Sequence, residues 1–271
     1  MLRSADAFAG IVPDRITIGD SAILVELARR PDADGTASET ETNGAGRPLA
    51  GIAHRPPGAD ARSVSSNVDL NELVAPLDRA ENPPESDEEQ LERAVAIATL
   101  NAVSAPCMEW EDGDPMALLE PSVDRITMVG LFRPAIRKFD GVEVRVIERA
   151  AVESVPDPDD VTVSLFGPAD TEAAMAGADV VFVTGSAFVY GGATRYIEAA
   201  PDTATVVVVG ATASFLPEPL FERGVDVLAG AAVDEPDRAR GAVRDGACGT
   251  GLHEAGVRKG YVASESDGLA L

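Results

Sequence analysis

Between Arg125 and Gly230 the chain carries five short runs rich in β-branched apolar residues: Arg125–Gly130, Val142–Glu148, Asp179–Thr184, Thr205–Gly210 and Val225–Gly230. Helical patterns of roughly ten residues alternate with them, the arrangement of consecutive βα units. A strand with one wet face alternates apolar and polar side chains. A continuous apolar run is buried on both faces, which is the condition of a strand inside a parallel sheet covered by helices on either side. The expectation is therefore an α/β protein: a doubly wound parallel sheet over residues 120–265, preceded by a smaller α+β domain over residues 1–110.

The amino-terminal part supports the second element of that division. Ile11–Glu26 reads as one strand after the turn at Pro13-Asp14, with Ile16, Ile18, Ala22 and Leu24 roughly alternating. The stretch Arg30–Arg47 is acidic and rich in Gly, Ser and Thr, the composition of a flexible hairpin loop or insertion. Ser86, with Glu89 three residues on, marks a helix start. The helix should run to about Val103, with Leu91, Ala94, Ile97, Ala98 and Asn101 on one face, and Pro106 ends it. Asn101 is the polar member of that apolar face. A buried amide must find partners or lose about 1–3 kcal/mol, so it serves either as a structural tie or as a ligand contact.

Composition removes several function classes. The chain has 46 Asp and Glu against 22 Lys and Arg, a net charge of −24, and only Lys138 and Lys259 among the basic residues are lysines. Such a surface repels phosphate backbones and anionic membrane faces, so neither nucleic acid nor membrane is an expected partner. It reads as an acidic, halophilic protein, because molar salt screens surface carboxylates over about 3 Å. Cys107 and Cys248 are far apart without CxxC or paired histidines, which predicts two reduced, buried thiols and no disulfide or zinc knuckle. With no long apolar segment and no leader-like amino terminus, the expected location is the cytoplasm.

Ligands of an open parallel sheet bind beyond the carboxyl ends of the strands, where strand order reverses. Those ends here are Gly130-Leu131-Phe132-Arg133-Pro134, Glu148-Arg149, Thr184-Gly185-Ser186 and Gly210-Ala211-Thr212. Gly130 followed by Pro134 suggests bare backbone N–H groups at a helix start, an anion site in principle. It is not a dinucleotide fingerprint, because Phe132 stands where GxGxxG needs its second glycine. Glu148 nonetheless sits where a ribose-binding acid would. Thr184 and Ser186 could orient a polar ligand or simply cap a helix. No GxSxG surrounds a serine, and His54 and His253 show no metal-ligand spacing. Aromatic residues are only 4% of the chain, which argues against a large stacked cofactor.

Taken in order, Ala96–Ala102, Val129–Pro134, Val146–Glu148, Ala178–Ser186 and Val209–Gly230 form a motif series that resembles the DUF364 heavy-metal chelation family over residues 90–262. The resemblance implies an enolase N-terminal-like domain followed by a Rossmann-like domain, with a cleft between them that binds a ligand. Carried over by motif, the ligand-binding residues would be Asn101, Gly130, Phe132, Glu148, Thr184, Gly185, Ser186, Gly210 and Thr212. One departure stands out: the family's Gly-Pro-x-Thr-Pro after the fourth run is here Gly210-Ala-Thr-Ala-Ser214, which predicts a looser turn.

The expected function is thus binding of a metal complex or small anionic ligand, with a transition metal or metal chelate as the implied cofactor. Direct ligation is a poor fit, because the soft thiolates a heavy metal prefers number two and lie far apart. The alternative is an enzyme holding a nucleotide-like cofactor at the Gly130 turn, and a further one is an interaction module with a vestigial cleft. The sequence assigns no reaction and leaves homo-oligomerisation open.

Overall fold

The computed structural model describes residues 10–30, 48–58, 69–79, 82–113 and 122–264. From residue 31 on, the insertion expected over Arg30–Arg47 lies outside the described residues. The chain divides into two compact units: Met1–Glu109 with Ser214–Leu216 and Ala231–Arg258, and Trp110–Ala213 with Pro217–Gly230 and Lys259–Leu271.

The first unit opens with strands β1 (Ile11–Ile18) and β2 (Ala22–Arg29), then β3 (Ala50–His54), in an antiparallel sheet of order β1-β2-β3. The single strand expected over Ile11–Glu26 is therefore a hairpin. The chain reverses at Gly19-Asp20-Ser21, where the Gly19 N–H donates to the Ala22 carbonyl, and the alternating pattern continues across the turn and hides it. A short helix α1 (Leu70–Val74) and the long helix α2 (Asp87–Ser104) follow. Ser86 Oγ accepts the Glu89 N–H at 3.2 Å, as the cap signature requires. Leu91, Ala94, Ile97, Ala98 and Asn101 are all buried. The alanines are small for a reason. A Cβ on Gly51 of β3 would collide with the Ala98 carbonyl oxygen and the Ala102 nitrogen, so helix and strand meet backbone to backbone.

The remaining strands are β4 (Arg125–Val129), β5 (Glu143–Ile147), β6 (Thr162–Phe166), β7 (Val180–Thr184), β8 (Thr205–Val209), β9 (Val227–Val233) and β10 (Val257–Ala263). They form one sheet of order β10-β9-β8-β7-β4-β5-β6. The pairs β4–β5, β4–β7, β5–β6, β7–β8 and β8–β9 are parallel. β10 runs against β9: the Asp234 N–H donates to Gly256 at one end and the Ser264 N–H to Asp226 at the other. The order reverses at β4, the doubly wound pattern of a Rossmann-like fold.

The helices here are short: α3 (Arg133–Ile136), α4 (Thr171–Met175), α5 (Ser186–Tyr190), α6 (Ala193–Glu198), α7 (Glu218–Phe221), α8 (Pro236–Arg244) and α9 (Thr250–His253). Ile126, Met128, Ile136, Val144, Val146, Val180, Phe182 and Val207 form the core of the sheet, with Phe139 stacked on Phe182 at 6.2 Å between centroids. α8 belongs to the first unit. Its Arg240 grips the buried carboxylate of Glu26 on β2 through two bonds, Nε to Oε2 at 2.8 Å and Nη2 to Oε1 at 2.6 Å.

Among the described residues no helix is long and apolar enough to cross a membrane. Cys107 and Cys248 are free and exposed, contrary to the burial expected of them, since each sits in a surface turn beyond the end of a helix.

Candidate functional site

At the carboxyl ends of β4, β5 and β7, on either side of the reversal at β4, the second unit opens a pocket of about 290 Å³. Its wall includes Gly130, Phe132, Glu148, Thr184 and Ser186, five of the nine residues expected to bind ligand. Gly130 is required by geometry. Its φ is +87°, and a Cβ there would stand 2.6 Å from Thr184 Cγ2, filling the gap between the turns after β4 and β7. Thr184 Oγ1 and Ser186 Oγ are 3.2 Å apart and share a hydrogen bond, so the two hydroxyls form one polar edge.

The other four expected residues lie elsewhere. Gly185 is buried behind the wall: a Cβ on it would be 2.8 Å from the Ala213 nitrogen and 3.2 Å from Thr212 Cβ. Gly210 and Thr212 belong to that neighbouring turn, and Thr212 is 4% exposed. Asn101, in the first unit, is 1% exposed. Its amide donates to the Ile52 carbonyl at 2.8 Å and accepts the Ser214 N–H at 3.2 Å, tying α2 to β3 and to the 214–216 segment. Ser214 Oγ in turn accepts the Ala231 N–H at 2.9 Å. The residue that replaces the family's second proline is thus held by hydrogen bonds where proline would have held the turn by stiffness.

Glu148 is turned inward. Its Oε2 accepts the Leu131 N–H at 3.0 Å and its Oε1 accepts the Arg149 N–H at 2.9 Å. The backbone donor that faces phosphate in a dinucleotide-binding turn is here satisfied by a carboxylate of the chain itself, an arrangement that disfavours a phosphate in that place. The helix after the turn, α3, is only four residues long, with Phe132 as its cap and no side-chain capping bond.

Sequence reasoning missed Arg149, Tyr190, Gly191 and Tyr196, which also line the pocket. Arg149 lies with its guanidinium carbon 3.5 Å from the centroid of the Tyr190 ring. Among the described residues it forms no ion pair with a carboxylate, in a chain of net charge −24. Burial lifts the Tyr190 phenol above its ordinary range while the Arg149 charge pulls it back down. A signal was available: two of the three tyrosines of the chain fall within Val189-Tyr-Gly-Gly-Ala-Thr-Arg-Tyr196.

The geometry tests a metal directly. Among the described residues no group of three His, Cys, Asp or Glu side chains is placed to hold a metal ion. The pocket offers hydroxyls, phenols and one carboxylate whose two oxygens already accept backbone N–H groups, with no thiolate or imidazole. These residues do not fit direct ligation of a soft heavy metal.

A family model, DUF364, described as "Putative heavy-metal chelation", matches residues 114–262, more than half of the chain. The chain belongs to the DUF364 family. The crystal structure of a DUF364 protein of unknown function from Pyrococcus horikoshii aligns with a TM-score of 0.71 at 20% identity, covering 96% of this chain and 95% of that one. A second DUF364 protein of unknown function, from Desulfitobacterium hafniense, aligns with a TM-score of 0.62 at 16% identity, covering 93% and 91%. At these identities the likeness speaks for the fold, an α/β protein with a mostly parallel sheet plus a small antiparallel one. No curated protein matches the chain.

Proposed function

We propose that this DUF364 protein binds a small chelating anion, free or already carrying its metal, in the pocket at the ends of β4, β5 and β7. The observation that carries the reading is Arg149: a guanidinium over the Tyr190 ring, 3.5 Å from its centroid, without a carboxylate partner among the described residues, at the edge of a cavity bordered by Thr184 and Ser186. A carboxylate is the natural complement of that fork of donors, and the two hydroxyls can bind further oxygens. The family description supports a metal as part of the cargo. Among the described residues no three His, Cys, Asp or Glu side chains are placed to hold an ion, which supports delivery of that metal by the anion and not by side chains.

The test is calorimetric titration of the full chain in molar KCl with nitrilotriacetate, with its nickel complex, with nickel alone and with AMP. Both forms of nitrilotriacetate should bind, and Arg149→Gln should weaken them at least tenfold. Nickel alone should bind no better than to the denatured chain. Binding of neither form, or binding of nickel alone equally to wild type and Arg149→Gln, overturns the reading. Saturable AMP binding that Arg149→Gln leaves unchanged would favour the nucleotide-dependent enzyme instead.

A further inference from the structure

Aromatic residues make up 4% of the chain, yet Phe132, Tyr190 and Tyr196 are three of the thirteen residues that line the pocket. Rings are thus over-represented in the lining of this pocket. Phe132 is also one of only two large hydrophobic side chains left exposed among the described residues, at 39%. An exposed ring that helps line a cavity is apolar area still to be covered, and a flat ligand face covers it best. Opposite chemistry comes from Arg149. It lies over the Tyr190 ring and bonds to the Tyr190 phenol, and a guanidinium has five N–H donors, so donors remain for a carboxylate.

We infer that the pocket selects a flat, conjugated carboxylate, an anion built on an aromatic ring and not on a saturated chain. This rests on the anion-binding reading above and narrows it to a substrate class. Size agrees: about 290 Å³ accommodates one ring with its carboxylates and is small for a dinucleotide. Gly191 helps line the pocket without a side chain, at a φ of +81° that favours glycine, and so keeps room beside Tyr190.

The experiment compares isophthalate with its fully hydrogenated cis analogue, two dianions that differ in flatness, with nitrilotriacetate as the reference. The flat dianion should bind at least tenfold more tightly. Phe132→Leu, a change at an exposed position that leaves the fold intact, should erase most of that preference by weakening isophthalate alone. Equal affinity for the two dianions while nitrilotriacetate still binds overturns the inference and leaves the anion site standing. A flat preference that survives in both Phe132→Leu and Tyr196→Leu overturns the assignment of the rings. If nitrilotriacetate also fails to bind, the anion-binding reading itself falls.

Discussion

Two regions of the molecule use the same materials, glycine and polar side chains, to opposite ends. Where α2 meets β3, Gly51 lets two backbones touch, and Asn101 spends its amide on Ile52 and Ser214. At the carboxyl ends of β4, β5 and β7, Gly130 instead keeps two turns from filling the space between them, and Arg149, Thr184 and Ser186 border a cavity. The first arrangement consumes polar capacity in stabilising the fold. The second sets it along the edge of an open space. Burial of a polar residue is therefore a poor guide to function in this chain; what decides is whether its donors and acceptors end on protein.

If that contrast is right, changes in the first region should cost stability and changes in the second should cost binding. The largest loss belongs to Arg240→Ala. It would strand the Glu26 carboxylate, which is 7% exposed, and should lower unfolding free energy by roughly 3 kcal/mol, read from denaturant melts in molar KCl. Asn101→Ala comes next, at about 1–3 kcal/mol, because it removes the bonds to the Ile52 carbonyl and from the Ser214 N–H. Its affinity for nitrilotriacetate should stay within twofold of wild type, and a tenfold loss in the still-folded variant would return Asn101 to the ligand site. Gly130→Ala should cost about 1–2 kcal/mol of backbone strain at φ +87° and also press on Thr184, so melts and titrations should both move.

The smallest effect distinguishes electrostatics from packing. Burial raises the Asp226 carboxyl above its usual range, against a lowering contribution from its bond with the Val206 N–H. A carboxyl with a raised folded value favours the protonated form in the fold, so its contribution to stability falls as pH rises from the ordinary carboxyl range through the raised one. Asp226→Asn keeps an oxygen for Val206 and removes the charge. Its denaturation midpoint should match or slightly exceed wild type at neutral pH, with the gap closing in acid. A gap that widens in acid would contradict the assignment.

Much of the fold could be read from residue order. The continuous runs at β4, β7 and β8 declare strands buried on both faces, and Ser86, Glu89 and Pro106 bracket α2 closely. β3 of the small sheet escaped notice, and so did two strands of the large one, both of them its edges. β6 leaves Leu165 47% exposed, and β10 carries Arg258 and Lys259, so neither shows an uninterrupted apolar run. The site was half legible. Gly130, Glu148, Thr184 and Ser186 follow from the rule that ligands gather at strand ends. The meeting of Arg149 with Tyr190 does not, because it depends on β5 and β7 both flanking β4, and spacing along the chain says nothing of strand order.

Glu148 carries a last consequence. A free anion at the Leu131 N–H would have to compete with every chloride in the surrounding solution, and its occupancy would follow the salt. A carboxylate tethered seventeen residues along the same chain is present at a high effective concentration and cannot be diluted away. The turn that in other Rossmann-like folds is a variable, filled or empty with its nucleotide, is in this protein a constant. If Arg149 holds an anion as proposed, ionic strength should tune that binding while leaving the shape of the turn beneath it unchanged.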